Sequence, residues 1–132
     1  MRPIFHLSFP VADLREAIDF YITELGAEIG RHGDAVADVL IFEAQVTLHD
    51  DPTGRGTPVA RTMHFGATVD WDDWEALATR CSGAPYVIEP PTISHAGEPI
   101  EQGKLMISDP SGNLVEIKAY RHPAKVLGPL AD

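Results

Sequence analysis

Three residues of this chain have side chains that hold metal ions and stand where strand alternation sets them apart from apolar neighbours. His6 lies in Phe5-His6-Leu7-Ser8-Phe9, where Phe5, Leu7 and Phe9 point one way and His6 and Ser8 the other. His64 lies in a run that repeats the pattern, with Met63, Phe65, Ala67 and Val69 on one face and His64, Gly66 and Thr68 on the other. Glu116 lies between Leu114 and Lys118 on one face of a strand whose opposite face is Val115, Ile117 and Ala119. If the apolar sets cover a core, all three polar side chains turn to an uncovered cleft. Two imidazoles and a carboxylate meeting there would bind a divalent ion facially and leave other positions open for water or substrate. Imidazole suits iron, zinc, nickel or copper, and the carboxylate extends the range toward manganese. Singly, each has a plainer reading, a half-buried satisfied ring or a solvated acid. Together they favour the metal.

The elements that must position them follow from the same alternation. Residues Gly103 to Tyr120 read as a β-hairpin, two apolar alternating runs around Asp109-Pro110-Ser111-Gly112-Asn113, whose residues favour a tight turn. The first strand is expected to end at Pro10. A helix follows, capped by Asp13 with Glu16 three residues on, and Leu14, Ala17, Ile18, Tyr21, Ile22 and Leu25 form its apolar stripe. Gly26 stops it. Short strands are expected over Glu28–Arg31, Ala37–Ala44 and Gln45–His49, with turns near Asp34 and Glu43-Ala44. Residues 51–61 read as a Gly- and Pro-rich linker. The strand around His64 then precedes a helix capped by Asp70 or Asp72, with Trp74, Leu77, Ala78 and Cys81 buried and Gly83 past its end. Tyr86–Glu89 reads as a strand, and Glu89–Glu101 as a loop long enough to form a lid.

The chain is thus an internal repeat, with His6 and His64 at equivalent points 58 residues apart. We read one α+β domain of paired βαβββ modules, residues 1–50 and 62–122, with a tail over 123–132. Their bare sheet faces would line an open, cup-shaped mixed β-barrel with the helices outside.

Other polar residues carry weaker chemical readings. His49, on the polar face of the fourth strand with Gln45 and Thr47, is a candidate acid or base, or a solvated strand end. Tyr120, just past Glu116, is a candidate proton donor to a bound oxyanion, or a packing aromatic. His95 lies in the expected loop, and His32 and His122 read as surface. Trp71 and Trp74 read as packing aromatics, Asp50-Asp51 as a turn, and Asp72-Asp73 as acids favoured by a helix dipole.

Composition narrows the partners. A net charge of −10 argues against nucleic acid and anionic lipid, which reward basic surfaces. No apolar run approaches the roughly 18 residues needed to span a bilayer. The single cysteine, Cys81, excludes an internal disulfide and fits a reducing compartment. A cytoplasmic protein is expected.

The stretches FHLSFPVADLREAIDFYITELG, AQVTLHD, MHFG, VIEPP and DPSGNLVEIKAY, spanning roughly residues 4 to 122, resemble the vicinal oxygen chelate superfamily. That superfamily includes glyoxalase I, fosfomycin-modifying enzymes, extradiol ring-cleaving dioxygenases and bleomycin-resistance proteins. The resemblance is nearest to a branch described as extradiol-dioxygenase-like, and it implies His6, His64 and Glu116 as metal ligands. It also implies one divalent ion per site, Fe(II) first and Mn, Zn or Ni otherwise, a small oxygen-chelating substrate and a homodimer. The ion would act as a Lewis acid on neighbouring substrate oxygens. Alternatives are a glyoxalase-type isomerase or lyase, and a metal-free drug-sequestering protein taking a cationic aromatic molecule. The chain departs from the pattern at Met106, where ring-cleaving members carry tyrosine. His95 lies further upstream than their histidine. Gln45, Thr47 and His49 occupy the strand on which glyoxalases add a glutamate. Lys104 and Lys118 are the chain's only approach to a basic phosphonate loop.

Overall fold

The computed structural model describes residues 1, 3–54 and 63–131. It divides into two compact units, Met1–Ala60 with Asp109–Asn113, and Arg61–Ser108 with Leu114–Asp132. Each unit is a βαβββ module, so the fold is α+β, with two four-stranded mixed sheets. Most of the expected linker lies outside the described residues; its start, Pro52–Gly54, is a single 3-10 turn.

In the first unit the order is β1 (His6–Val11), α1 (Leu14–Leu25), β2 (Glu28–His32), β3 (Val36–Ile41) and β4 (Ala44–Asp50). The sheet runs β1-β4-β3-β2, with β1 parallel to β4 and the other pairs antiparallel. Pro10 does not end β1. It sits within the strand, opposite His49, because β1 is an edge, where a residue lacking an N–H leaves no ladder partner unsatisfied. Helix α1 begins as the residues dictate, with Asp13 accepting a hydrogen bond from Glu16 N at 2.9 Å, and it ends on Gly26 at φ 72°. Its buried stripe is Leu14, Ala17, Ile18, Phe20 and Tyr21; Ile22 is 38% exposed, and Phe20 takes the inward place instead. Between β3 and β4 the turn is made by Phe42 and Glu43, both at positive φ, the geometry a two-residue hairpin demands.

The hairpin tip Asp109–Asn113 is part of this unit. The Asp109 carboxylate accepts from Ser111 N, Asn113 N, Asn113 Nδ2 and the Tyr21 hydroxyl, all at 2.8–2.9 Å. Ser111 Oγ accepts from Ala12 N, and Asn113 Nδ2 donates to the Pro10 carbonyl. Burial and the nearby carboxylate together push the Tyr21 hydroxyl well above its ordinary pKa. A turn motif obvious from composition is therefore also the clamp on the β1–α1 junction.

In the second unit the order is β5 (Phe65–Thr68), α2 (Trp71–Arg80), β6 (Val87–Ser94), β7 (Gln102–Ser108), β8 (Leu114–Tyr120) and α3 (Pro123–Leu127). The sheet runs β5-β8-β7-β6, with β5 parallel to β8. Val115, Ile117 and Ala119 are fully buried on the face that α2 covers, together with Leu105 and Ile107 of β7. Trp74 lies over Gly103, where any Cβ would collide with the indole. Both tryptophans are buried, and the Arg121 guanidinium stacks 3.8 Å from the Trp71 ring centre.

One expectation needs correction here. The segment Glu89–Glu101 is not one long lid. Its first half continues β6 through Pro90-Pro91, which an edge strand tolerates with two register shifts. The remainder closes on itself, Glu98 N donating to the His95 carbonyl and Glu101 accepting from Gly97 N. The expected tail, residues 123–132, begins with a short helix started by Pro123. Among the described residues no helix is long and apolar enough to cross a membrane.

Candidate metal centre

Strand β8 presents Glu116 from the face opposite its buried one, as alternation requires. His64 stands one residue before β5 rather than within it, because the strand pairing with β8 begins at Phe65. What brings the two side chains together is Gly66. It is the register partner of Glu116, and a Cβ there would collide with the Glu116 carbonyl, so only glycine lets β5 lie this close to β8. His64 Nε2 ends 3.8 Å from Glu116 Oε2, with the two side chains 33% and 17% exposed.

That separation is too long for a hydrogen bond. Zinc bonds of about 2.0–2.1 Å to imidazole and about 2.0–2.2 Å to carboxylate add up to more than 3.8 Å, so one ion can touch both groups. The other Glu116 oxygen, Oε1, lies 4.0 Å from Lys118 Nζ. The pair opens into a cavity of about 200 Å³ lined by His64, Gly66, Thr68, Glu116 and Lys118. An imidazole nitrogen and a carboxylate, both partly exposed to a small polar hollow, fit a divalent ion in donor type.

His6 lies in the first unit, at the start of β1, exposed, with Nδ1 3.2 Å from the Gln45 carbonyl oxygen. A carbonyl oxygen can only accept, so Nδ1 is the donor, and the bond orients the ring as in metal-binding imidazoles. Among the described residues no group of three or more His, Cys, Asp or Glu side chains is assembled to hold an ion. The structure therefore brings together two of the three expected ligands, His64 and Glu116.

The other candidates stand at these places in their own sheets. His49 is exposed near the end of β4, between Pro10 and Val36 in register. Tyr120 ends β8, two rungs beyond the pair, with Lys118 Nζ 5.6 Å from its ring centre. Met106 is buried directly opposite Glu116. His95 pairs with Glu98 at 2.9 Å, outside any shared site.

A second polar centre escaped the sequence reading. In β3, Asp38 is only 3% exposed and accepts hydrogen bonds from Thr47 Oγ1 at 2.7 Å, Gln45 Nε2 at 3.1 Å and Arg31 at 3.2 Å. Burial pushes its carboxyl up, but the three hydrogen bonds and the Arg31 charge outweigh that and hold it below the ordinary value. Counting along each strand from His6 and His64, Thr47 occupies in the first unit the place Glu116 holds in the second. The signal was an acid inside the apolar run VADVLI, on the face shared with Gln45 and Thr47.

Paired βαβββ modules, each with a parallel first-to-last strand pair, define the class of protein. The chain belongs to the Glyoxalase/Bleomycin resistance protein/Dioxygenase superfamily, whose family model matches residues 4–117. It is similar in structure to a glyoxalase/bleomycin resistance protein/dioxygenase from Alicyclobacillus acidocaldarius, with 26% identity and a TM-score of 0.80 over 95% of this chain and 96% of that one. The fosfomycin resistance protein FosX from Listeria monocytogenes shares the fold at 14% identity, with a TM-score of 0.75 over 96% and 99% of the two chains. FosX from Mesorhizobium loti shares it at 17% identity, TM-score 0.67, over 90% and 92%. Among curated proteins, none matches the sequence.

Proposed function

We propose that the protein is a divalent-metal-dependent enzyme acting on a small molecule with two neighbouring oxygens, with His64, Glu116 and His6 as the metal ligands. The observation that carries this reading is the His64–Glu116 pair, 3.8 Å apart at a polar cavity and held there by Gly66. A bound ion supplies Lewis-acid chemistry to the substrate oxygens. The chain's own residues supply the rest. The imidazoles and carboxylate orient the ion, the Gln45 carbonyl holds the His6 ring, and the cavity limits the substrate to a small one. Fe(II) and extradiol-type oxygenation are the first choice, on the resemblance of FHLSFPVADLREAIDFYITELG, AQVTLHD, MHFG, VIEPP and DPSGNLVEIKAY, taken together, to that branch. His49 and Tyr120 are the proposed proton-transfer residues, and the buried Cys81 suits a cytoplasmic, reducing setting.

A glyoxalase-type isomerisation or elimination is the second reading, and Met106 favours it. This apolar side chain opposite Glu116 leaves no acid where ring cleavage would place one.

Metal analysis of the purified protein, with calorimetric titration by Fe(II), Mn(II), Zn(II) and Ni(II), tests the reading. One ion per site is expected, with affinity lowered more than about tenfold in His64→Ala and in Glu116→Gln. Absence of binding by all four ions would overturn it. Oxygen uptake by Fe(II)-loaded protein given catechols separates oxygenation from isomerisation.

A further inference from the structure

The chain has only three lysines, Lys104, Lys118 and Lys125, within a net charge of −10. Two of the three are set against each other. Lys104 of β7 is the direct register partner of Lys118 of β8. Residues directly opposed in an antiparallel pair project from the same face, and like charges so placed destabilise the ladder. The face is that of Glu116, since Lys118 and Glu116 alternate with the buried Val115, Ile117 and Ala119.

The row extends across the whole sheet. Thr68 of β5 pairs with Lys118, and Thr92 of β6 pairs with Lys104. Four adjacent strands thus present Thr, Lys, Lys and Thr side by side, every one a hydrogen-bond donor and none a carboxylate. The next row holds Gly66, Glu116, Met106 and Glu89. Among the described residues Lys118 pairs with Glu116, at 4.0 Å, and Lys104 has no ion-pair partner. Thr68 and Lys118 also line the cavity into which His64 and Glu116 open.

We infer that Thr68, Lys118, Lys104 and Thr92 form an anion-holding row beside the metal pair, so that the substrate carries a carboxylate or similar oxyanion in addition to its chelating oxygens. This rests on the proposed metal site for the chelating end, while the row itself is independent of any ion. Two lysines held together against their mutual repulsion are matched by an oxyanion seated between them, to which both ammonium groups donate, with a threonine flanking on either side. Such a substrate is an aromatic or aliphatic acid, rather than the cationic ligand that net charge alone suggests.

The test has two arms. In the first, inorganic phosphate is titrated into metal-free protein and followed by amide NMR. Saturable shifts at residues 68, 92, 104 and 118 are expected, weakened at least tenfold in Lys104→Met and in Lys118→Met. Each variant should melt at the same or a higher temperature, since repulsion is relieved; a lysine that merely packs would lower it. In the second arm, Ni(II)-loaded protein is titrated with catechol and with 3,4-dihydroxybenzoate, which differ only in the carboxylate. The acid is expected to bind at least tenfold more tightly, a preference lost in both variants while catechol affinity holds in Lys104→Met. Equal affinity for the two catechols overturns the inference and leaves the metal reading standing. If neither catechol binds, a catechol-type substrate is excluded, the metal titration still decides the metal site, and the phosphate arm decides the row by itself, absence of saturable shifts overturning it.

Discussion

Asp38 shows how a single side chain can be costly and stabilising together. Its carboxylate is buried, yet Thr47, Gln45 and Arg31 donate to it and lower its pKa below the unfolded value. A depressed carboxyl contributes stability above its unfolded pKa and loses it as pH falls through the folded one, because the unfolded chain then binds the proton more readily. Urea unfolding from about pH 5 down to about pH 2.5 should therefore show the stability difference between the protein and Asp38→Asn shrinking as the acid range is entered. Asp38→Ala, which leaves the Thr47 hydroxyl buried without its acceptor, should cost about 1–3 kcal/mol near neutrality. A pH-independent difference would show that Asp38 is protonated in the fold. The residue was legible as a charge in an apolar run but not as a buried one. Its donors come from β2 and β4, and only the register of three strands places them.

At the scale of elements, glycine decides how near two strands may lie. Gly66 has an ordinary backbone conformation; its importance is the space a Cβ would take from the Glu116 carbonyl. Gly66→Ala should move β5 away from β8, cost about 1–3 kcal/mol by overpacking, and weaken metal binding even though neither ligand is changed. Thermal melting and metal titration of that variant check both halves, and unchanged values would show that the close approach is dispensable. Helix α1 and the β7–β8 hairpin were readable in advance, because Asp13, Gly26 and the DPSGN turn act on neighbours within a few residues. Strand β6 was not. Pro90-Pro91 reads as loop anywhere except at a sheet edge, and the edge position of β6 is a property of the sheet, not of the segment. The strand around His64 was placed too early for a similar reason, since its start is set by where β8 offers partners.

For the whole molecule, the metal proposal needs His6 from the first unit and His64 with Glu116 from the second. We propose that the protein is a homodimer, and mixing variants tests whether its copies share sites. His6→Ala and His64→Ala chains, each deficient in metal, are combined after dissociation and reassembly. Recovery of metal binding in the mixture is expected if a site takes ligands from two copies, whereas no recovery places all three within one. Sedimentation of the same samples reports the assembly directly.

The sequence by itself determined the repeat, the caps of the first helix, the hairpin and the face on which each polar residue stands, because alternation and turn chemistry are local. It placed His64, Glu116, Lys104 and Lys118 on polar faces without saying which would be neighbours. Tertiary structure decided that. Register between strands depends on backbone hydrogen bonds between distant segments and on the core they cover together, and it set His64 beside Glu116, Lys104 against Lys118, and Asp38 under Thr47.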